Sequence, residues 1–203
     1  MKNETNKRKL MVVLCLALAT CSGVSSRAQA DPGEIITRPA GNFLPTYGFP
    51  QVADLDAVRT EVIFTGTDFL FSGTMDAPIG TTPEAFYVFG VDRGLGATTA
   101  SFAELGLPQI AFDLVVVVRP GGASVVNDLD GAIVTPLPPE AISIVGNTIV
   151  ARVPLSLLPG KGLQPEDYLW NLWPRWDDGM GLHDEQISAF IPDDRMATLS
   201  VVR

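Results

Sequence analysis

The sequence predicts an all-β protein, an antiparallel β-sandwich of about nine to eleven strands with one or two short helical turns. Three observations predict it. Short apolar runs recur with period two along residues 51–203, and no long stretch repeats with the helical period of 3.6. Glycine, proline, asparagine and aspartate punctuate these runs where turns are needed. Some segments are apolar on both faces, as central sandwich strands would be.

The elements follow in order. Val58, Thr60, Val62 and Phe64 alternate with Arg59, Glu61, Ile63 and Thr65. Gly66-Thr67-Asp68 turns the chain, and Phe69, Phe71, Gly73 and Met75 alternate with Leu70, Ser72 and Thr74. Two period-two runs around a short glycine-containing loop read as a hairpin. Residues 86–92 (FYVFGVD) and 112–119 (FDLVVVVR) read as central strands, the second ending at Pro120-Gly121-Gly122. Residues 124–126 and 132–135 flank Asn127-Asp128-Leu129-Asp130-Gly131, read as a hairpin turn. That turn fails as a calcium loop, because Val126 and Leu137 stand where the first and last ligands belong. Residues 142–145 and 148–153 flank Gly146-Asn147, a two-residue hairpin turn. Residues 168–173 and 198–202 complete the strands. Residues 154–158 and 102–105 are the two short helical candidates.

Residues 1–30 have the layout of a secretory signal peptide. Lys2, Lys7, Arg8 and Lys9 precede an apolar run over residues 10–19, and Ala28-Gln29-Ala30 offers a cleavage site before Asp31. The run is shorter than the roughly 20 residues that span a bilayer. Leu18-Ala19-Thr20-Cys21 resembles a lipobox with Thr20 in place of the usual small residue. The expected location is therefore secreted or periplasmic, with a lipid anchor at Cys21 as the alternative. Residues 31–50 read as an irregular lead-in and residues 51–203 as the sandwich domain.

Both cysteines, Cys15 and Cys21, lie in the leader, so the remainder has no thiol for a disulfide, a metal or catalysis. Of 14 basic and 23 acidic residues, five and one leave with residues 1–30, so residues 31–203 carry a formal charge of −13. A phosphate backbone would be repelled, which argues against nucleic acid as a partner.

Asp54-Leu55-Asp56 opens the first long strand, and residues 87–94 (YVFGVDRG) end a central strand in an acidic turn. Residues 146–158 (GNTIVARVPLSLL) join a hairpin turn, a strand and a VPLSLL turn, and Ile191-Pro192-Asp193-Asp194 precedes the last strand. This order resembles the DOMON-like and family-nine carbohydrate-binding-module-like β-sandwiches of exported bacterial proteins, over residues 50–203. The resemblance implies a sandwich that binds sugars or haem, or that serves as a structural module. Haem-binding members use methionine and histidine as axial ligands. Here His183 is the sole histidine, and no motif pairs a methionine with it.

The segment 168–176 (YLWNLWPRW) packs four aromatics into nine residues. On a strand, Tyr168, Trp170 and Leu172 share one face while Leu169, Asn171 and Trp173 share the other. A sugar needs a flat ring for its C–H face and polar groups for its hydroxyls. The candidate carbohydrate site is therefore Trp173 and Trp176, the latter in a loop, with Asn171, Arg175 and Asp177 as hydrogen-bonding partners. The competing reading places Trp170 and Trp173 in the core. In the acidic loop that follows, Asp177, Asp178, Asp184 and Glu185 are candidate calcium ligands. The competing reading is an ordinary acidic surface loop.

No G-x-S-x-G, H-E-x-x-H, P-loop or G-x-G-x-x-G motif occurs, and no catalytic residue is assigned. Three functions remain. The first is an exported non-catalytic module that binds carbohydrate or another extracellular ligand. The alternatives are a structural cell-envelope protein with calcium-binding acidic loops, and a small glycoside-active enzyme working through two carboxylates.

Overall fold

A computed structural model describes residues 33–202. The expected signal peptide, with its cleavage site before Asp31 and the alternative anchor at Cys21, lies outside the described residues. The described chain is all-β: fourteen strands, with helical structure confined to three-residue 3₁₀ turns. Among these residues no helix is long and apolar enough to cross a membrane.

The predicted first hairpin is present as β2 (Ala57–Phe64) and β3 (Asp68–Met75), after a two-residue β1 (Ile36–Thr37). In β3 the period of two is literal. Phe69, Phe71, Gly73 and Met75 are buried, while the residues between them are half-buried. β4 (Ala85–Asp92) is the apolar central strand. The segment read as one strand over 112–119 divides into β6 (Leu107–Phe112) and β7 (Leu114–Val118). Asp113, wholly buried between them, accepts from the backbone N–H of Arg93 at 2.9 Å and of Leu95 at 3.2 Å, which ends one strand and starts the next. β6 pairs instead with β5 (Ala100–Phe102), where the sequence suggested a helical turn that in fact starts at Ala103.

β8 (Val125–Asp128), β9 (Ile133–Pro136), β10 (Ile142–Val145) and β11 (Thr148–Pro154) follow. β12 (Leu169–Trp176) runs three residues beyond its predicted end, so Trp176 belongs to a strand paired with Ala85 rather than to a loop. β13 (Ala197–Thr198) and β14 (Ser200–Val201) close the chain.

One sheet has the order β1-β2-β3-β11-β10, with β14 parallel on β2, and the other has the order β13-β12-β4-β7-β8-β9. Their facing sides enclose the main core, with Phe64, Phe69, Phe71, Tyr87, Phe89, Trp170 and Leu172 among its members. The second sheet is covered on its other face as well. β5 and β6 lie over it, residues 187–191 pair alongside the edge of β12, and together they enclose a second core of Phe86, Val88, Phe102, Phe112, Trp173 and Phe190. Two cores explain why β4 is buried along nearly its whole length.

At one end, Arg93 is completely buried and pairs with Asp113 at 2.5 Å and, through both terminal nitrogens, with Asp128 at 2.8 and 3.2 Å. This cluster ties β4 to β7 and β8. Asp128, predicted in a turn, is the last residue of β8.

Candidate functional site

The two cores decide the fate of the aromatic segment. Along β12, Trp170 and Leu172 point into the main core, while Asn171, Trp173 and Arg175 point into the second. Trp173 is 1% exposed and sits against Phe102, Phe112 and Phe190, with ring centroids 5.0, 4.9 and 6.1 Å away. Asn171 is fully buried, and its amide donates to the carbonyls of Pro192 and Arg195 at 2.7 and 2.8 Å. It holds down the overlying segment. Arg175 is buried too, and donates to the His183 carbonyl at 2.7 Å. Burial pulls its guanidinium down to about 10, against the opposing pull of Asp184. These three predicted contact residues face the second core and the segment that covers it, so none presents a surface to a ligand.

Trp176 is half-buried at the end of β12 and is the predicted ring that reaches the surface. It is not alone there. The lead-in, irregular except for β1, folds back over residues 185–188: Leu44 N–H donates to Ser188 O at 2.8 Å and Gly48 N–H to Glu185 O at 3.0 Å. This carries three more rings to the same place. Phe43 stacks on Tyr47 (centroids 5.6 Å apart, planes 20° apart), Tyr47 meets Phe49 at 6.1 Å, and Phe49 stacks on Trp176 at 5.9 Å and 12°. His183 lies 6.0 Å from Phe49. All four rings of the row are half-buried. Burial, with the negative charge of Asp54 added, pushes the Tyr47 phenol well above its usual range, and its O–H donates to Pro50 O at 3.0 Å.

Sequence reasoning missed Phe43, Tyr47 and Phe49 because it sought rings on strands. The available signal was their clustering in a segment too broken by proline and glycine to bury them by alternation.

The acidic loop borders this row, and it is pinned by its own carboxylates. Asp177 accepts from Arg119 at 2.7 Å and from Gly179 N–H at 3.0 Å. The Arg119 guanidinium lies 4.1 Å from the Phe86 ring centre. Asp178 accepts from Met180 N–H and Gln186 Nε2, both at 2.9 Å, and lies 2.9 Å from His183 Nε2. The Met180 N–H, followed by the His183 and Gln186 side chains, holds the Asp178 carboxyl below the usual range. Asp184 and Glu185 begin a 3₁₀ turn.

Asp177, Asp178, Asp184 and Glu185 are therefore not gathered around a common point. Among the described residues no group of three or more histidines, cysteines, aspartates or glutamates could hold a metal ion. The predicted calcium set is corrected accordingly: two of its members anchor the loop through other partners. Compared with known proteins, the chain matches no family model, no curated protein and no solved structure.

Proposed function

We propose that this chain is an exported β-sandwich binding module that takes a carbohydrate across the aromatic row of Phe43, Tyr47, Phe49 and Trp176. The observation that carries the reading is the row itself. Four half-buried rings are held at one surface by backbone hydrogen bonds, with carboxylates and an imidazole at their border. Fixed rings lose little freedom when a ligand arrives, which favours affinity. The ring faces suit the C–H face of a sugar. Glu185, beside Gly48 at the border of the row, is placed to serve its hydroxyls. The leader supports an extracellular ligand, and so does the resemblance in motif order to carbohydrate-binding sandwiches.

The test is a panel of soluble polysaccharides in affinity electrophoresis, with Phe49→Ala and Trp176→Ala beside the wild type. Loss of one stacking ring is expected to weaken binding by about ten- to a hundredfold, the range for one truncated contact residue. A wild type that binds no glycan refutes the reading. So does a Trp176→Ala protein that binds as the wild type does.

A further inference from the structure

The charge around the aromatic row is one-sided. Two segments build the row and its border, residues 39–58 and residues 176–194. The first holds two carboxylates and the second six, and neither holds a lysine or arginine. The basic residues that flank the two segments in sequence are all engaged. Arg38 pairs with Asp56 and Asp193 at 3.4 and 3.1 Å, and Arg59 with Glu61 at 3.4 Å. Arg175 is buried on the His183 carbonyl, and Arg195 pairs with Glu34 at 2.9 Å.

Most of the carboxylates are answered inside the protein as well. Asp177 pairs with Arg119, Asp178 lies against His183 and Gln186, and Asp54 accepts from the N–H and the hydroxyl of Thr82, both at 2.7 Å. Glu185 differs. It is exposed, and no cation among the described residues pairs with it. Its backbone carbonyl accepts from Gly48 N–H at 3.0 Å, and a carboxylate oxygen lies 3.8 Å from the place a Cβ on Gly48 would take. Gly48 stands between Tyr47 and Phe49, so this free carboxylate reaches the backbone between two rings of the row.

Charge then selects the ligand. A ring face attracts a cation through its quadrupole, and a carboxylate attracts it directly. A uronate or sulfated sugar would meet like charge with no basic group to neutralise it. A neutral sugar uses the rings and leaves the Glu185 charge idle, whereas an ammonium fixed on a sugar ring uses both. A lysine side chain also carries an ammonium. It offers four rings only one flexible stem, and it loses more rotamer freedom on binding than a pyranose does.

We infer that the row of Phe43, Tyr47, Phe49 and Trp176 takes a glycan of amino sugars, whose ammonium groups meet Glu185 beside Gly48. This rests on the carbohydrate reading above and names its substrate class. The rings make the site, and the carboxylate chooses among sugars.

Isothermal titration calorimetry on the purified protein tests this. The ligands are β-linked oligomers of equal length built from glucosamine, N-acetylglucosamine, glucose or galacturonic acid, in mildly acidic buffer that keeps the amines protonated. The glucosamine oligomer is expected to bind about tenfold more tightly than the two neutral ones, the size of one well-placed cation–ring contact, and the galacturonate not to bind. Added salt should shrink that advantage. Glu185→Gln keeps the hydrogen-bonding capacity and drops the charge, so it should cost the glucosamine oligomer more affinity than the glucose oligomer. Phe49→Ala should weaken both. Glu140→Gln, on the connection after β9 and four strands from β12, should leave both unchanged. Equal affinity for the glucosamine and glucose oligomers overturns the inference and leaves the carbohydrate reading standing, as does a preference for galacturonate. A protein that binds none of the oligomers overturns both. Glucosamine binding that survives Phe49→Ala, or a lysine oligopeptide that binds as tightly, also overturns the inference, because the attraction then belongs to the acidic surface at large.

Discussion

Whether Trp173 is a ligand ring or a core ring is decided by a glycine on the neighbouring strand. Gly90 lies on β4 opposite Asn171, and the six-membered ring of Trp173 occupies the space that a Cβ at Gly90 would need. A methyl there would overlap Trp173 Cη2 and lie 2.5 Å from Cζ3, with Phe112 Cγ at 3.3 Å. The indole has nowhere to retreat, because Phe102, Phe112 and Phe190 pack around it. Overpacking a filled core costs about 1–3 kcal/mol, and an overlap this deep with an immobile ring belongs at the upper end. Gly90→Ala is therefore expected to destabilise by about 3 kcal/mol, or to lower Tm by about 6–12 °C in a chain of this size. Trp173→Leu shortens the side chain and vacates that space. In the Trp173→Leu background the cost of Gly90→Ala is expected to shrink to about 1 kcal/mol, a coupling of about 2 kcal/mol in a double-mutant cycle. Urea unfolding of the four proteins supplies the numbers. Equal costs in the two backgrounds would falsify the placement of the ring, and a harmless Gly90→Ala would return Trp173 to the list of surface aromatics.

The other predictions concern charge and the surface rings. Arg93→Met leaves Asp113 and Asp128 without their buried cation, and is expected to cost about 3–5 kcal/mol in the same unfolding assay. A cost under about 1 kcal/mol would show that the cluster is solvated. Glu34 is held below the usual carboxylate range by the Arg195 hydrogen bond, and Asp128 also lies low because, against the raising effect of burial, the hydrogen bonds and charge of Arg93 act together with the Gly131 N–H and Lys161. A depressed folded pKa gives stability that is present above the unfolded value and lost as pH falls through the folded one. Tm is accordingly expected to hold steady above the ordinary values of 4.5 and 3.8 and to fall progressively below them. In Glu34→Gln the acid fall should be shallower, and a Tm that rises on acidification contradicts the assignment. Trp176→Ala and Phe49→Ala should lose glycan affinity.

Much of the fold was legible because its strands obey one rule each. The hairpin of β2 and β3 alternates from Thr60 onward, past a bulge between Ala57 and Arg59, and Gly146-Asn147 marks the turn between β10 and β11. The reading failed where a polar residue interrupts a run for a long-range reason. Asp113 looks like one polar residue in a single strand, yet it ends β6 because its carboxylate is claimed by Arg93, twenty positions earlier. No local pattern encodes that partnership. The site was less legible for a related reason. Asn171, Trp173 and Arg175 have the composition of a sugar site, but β5 and β6, with Ile187 and Phe190 of the segment paired alongside β12, convert their face into interior. Covering a second face is a tertiary event, and period-two reasoning assigns only one face to the core.

That second core also explains where surface rings can come from. A sheet covered on both faces absorbs the large aromatics in the middle of its strands, so Trp170, Trp173, Phe86 and Phe89 all disappear inside. Rings left for recognition must lie at a strand end or in a connecting segment, where functional side chains concentrate on rigid scaffolds. The row obeys this: Trp176 is the last residue of β12, and Phe43, Tyr47 and Phe49 come from the lead-in. The rigidity of the row is thus borrowed from the fold beneath it. Leu44 packs into the second core and Tyr47 and Trp176 against the main one, so the row straddles the edge between the two. A substitution that loosens the 183–196 segment, such as Asn171→Ala, should therefore disturb the row from a distance. It removes both amide hydrogen bonds to Pro192 and Arg195 and leaves the rings themselves untouched. Glycan affinity is expected to fall by at most about thirtyfold, the equivalent of two hydrogen bonds at about 1 kcal/mol each. Unchanged affinity in a destabilised Asn171→Ala protein would mean that the row is held by its own stacking and not by the covered sheet.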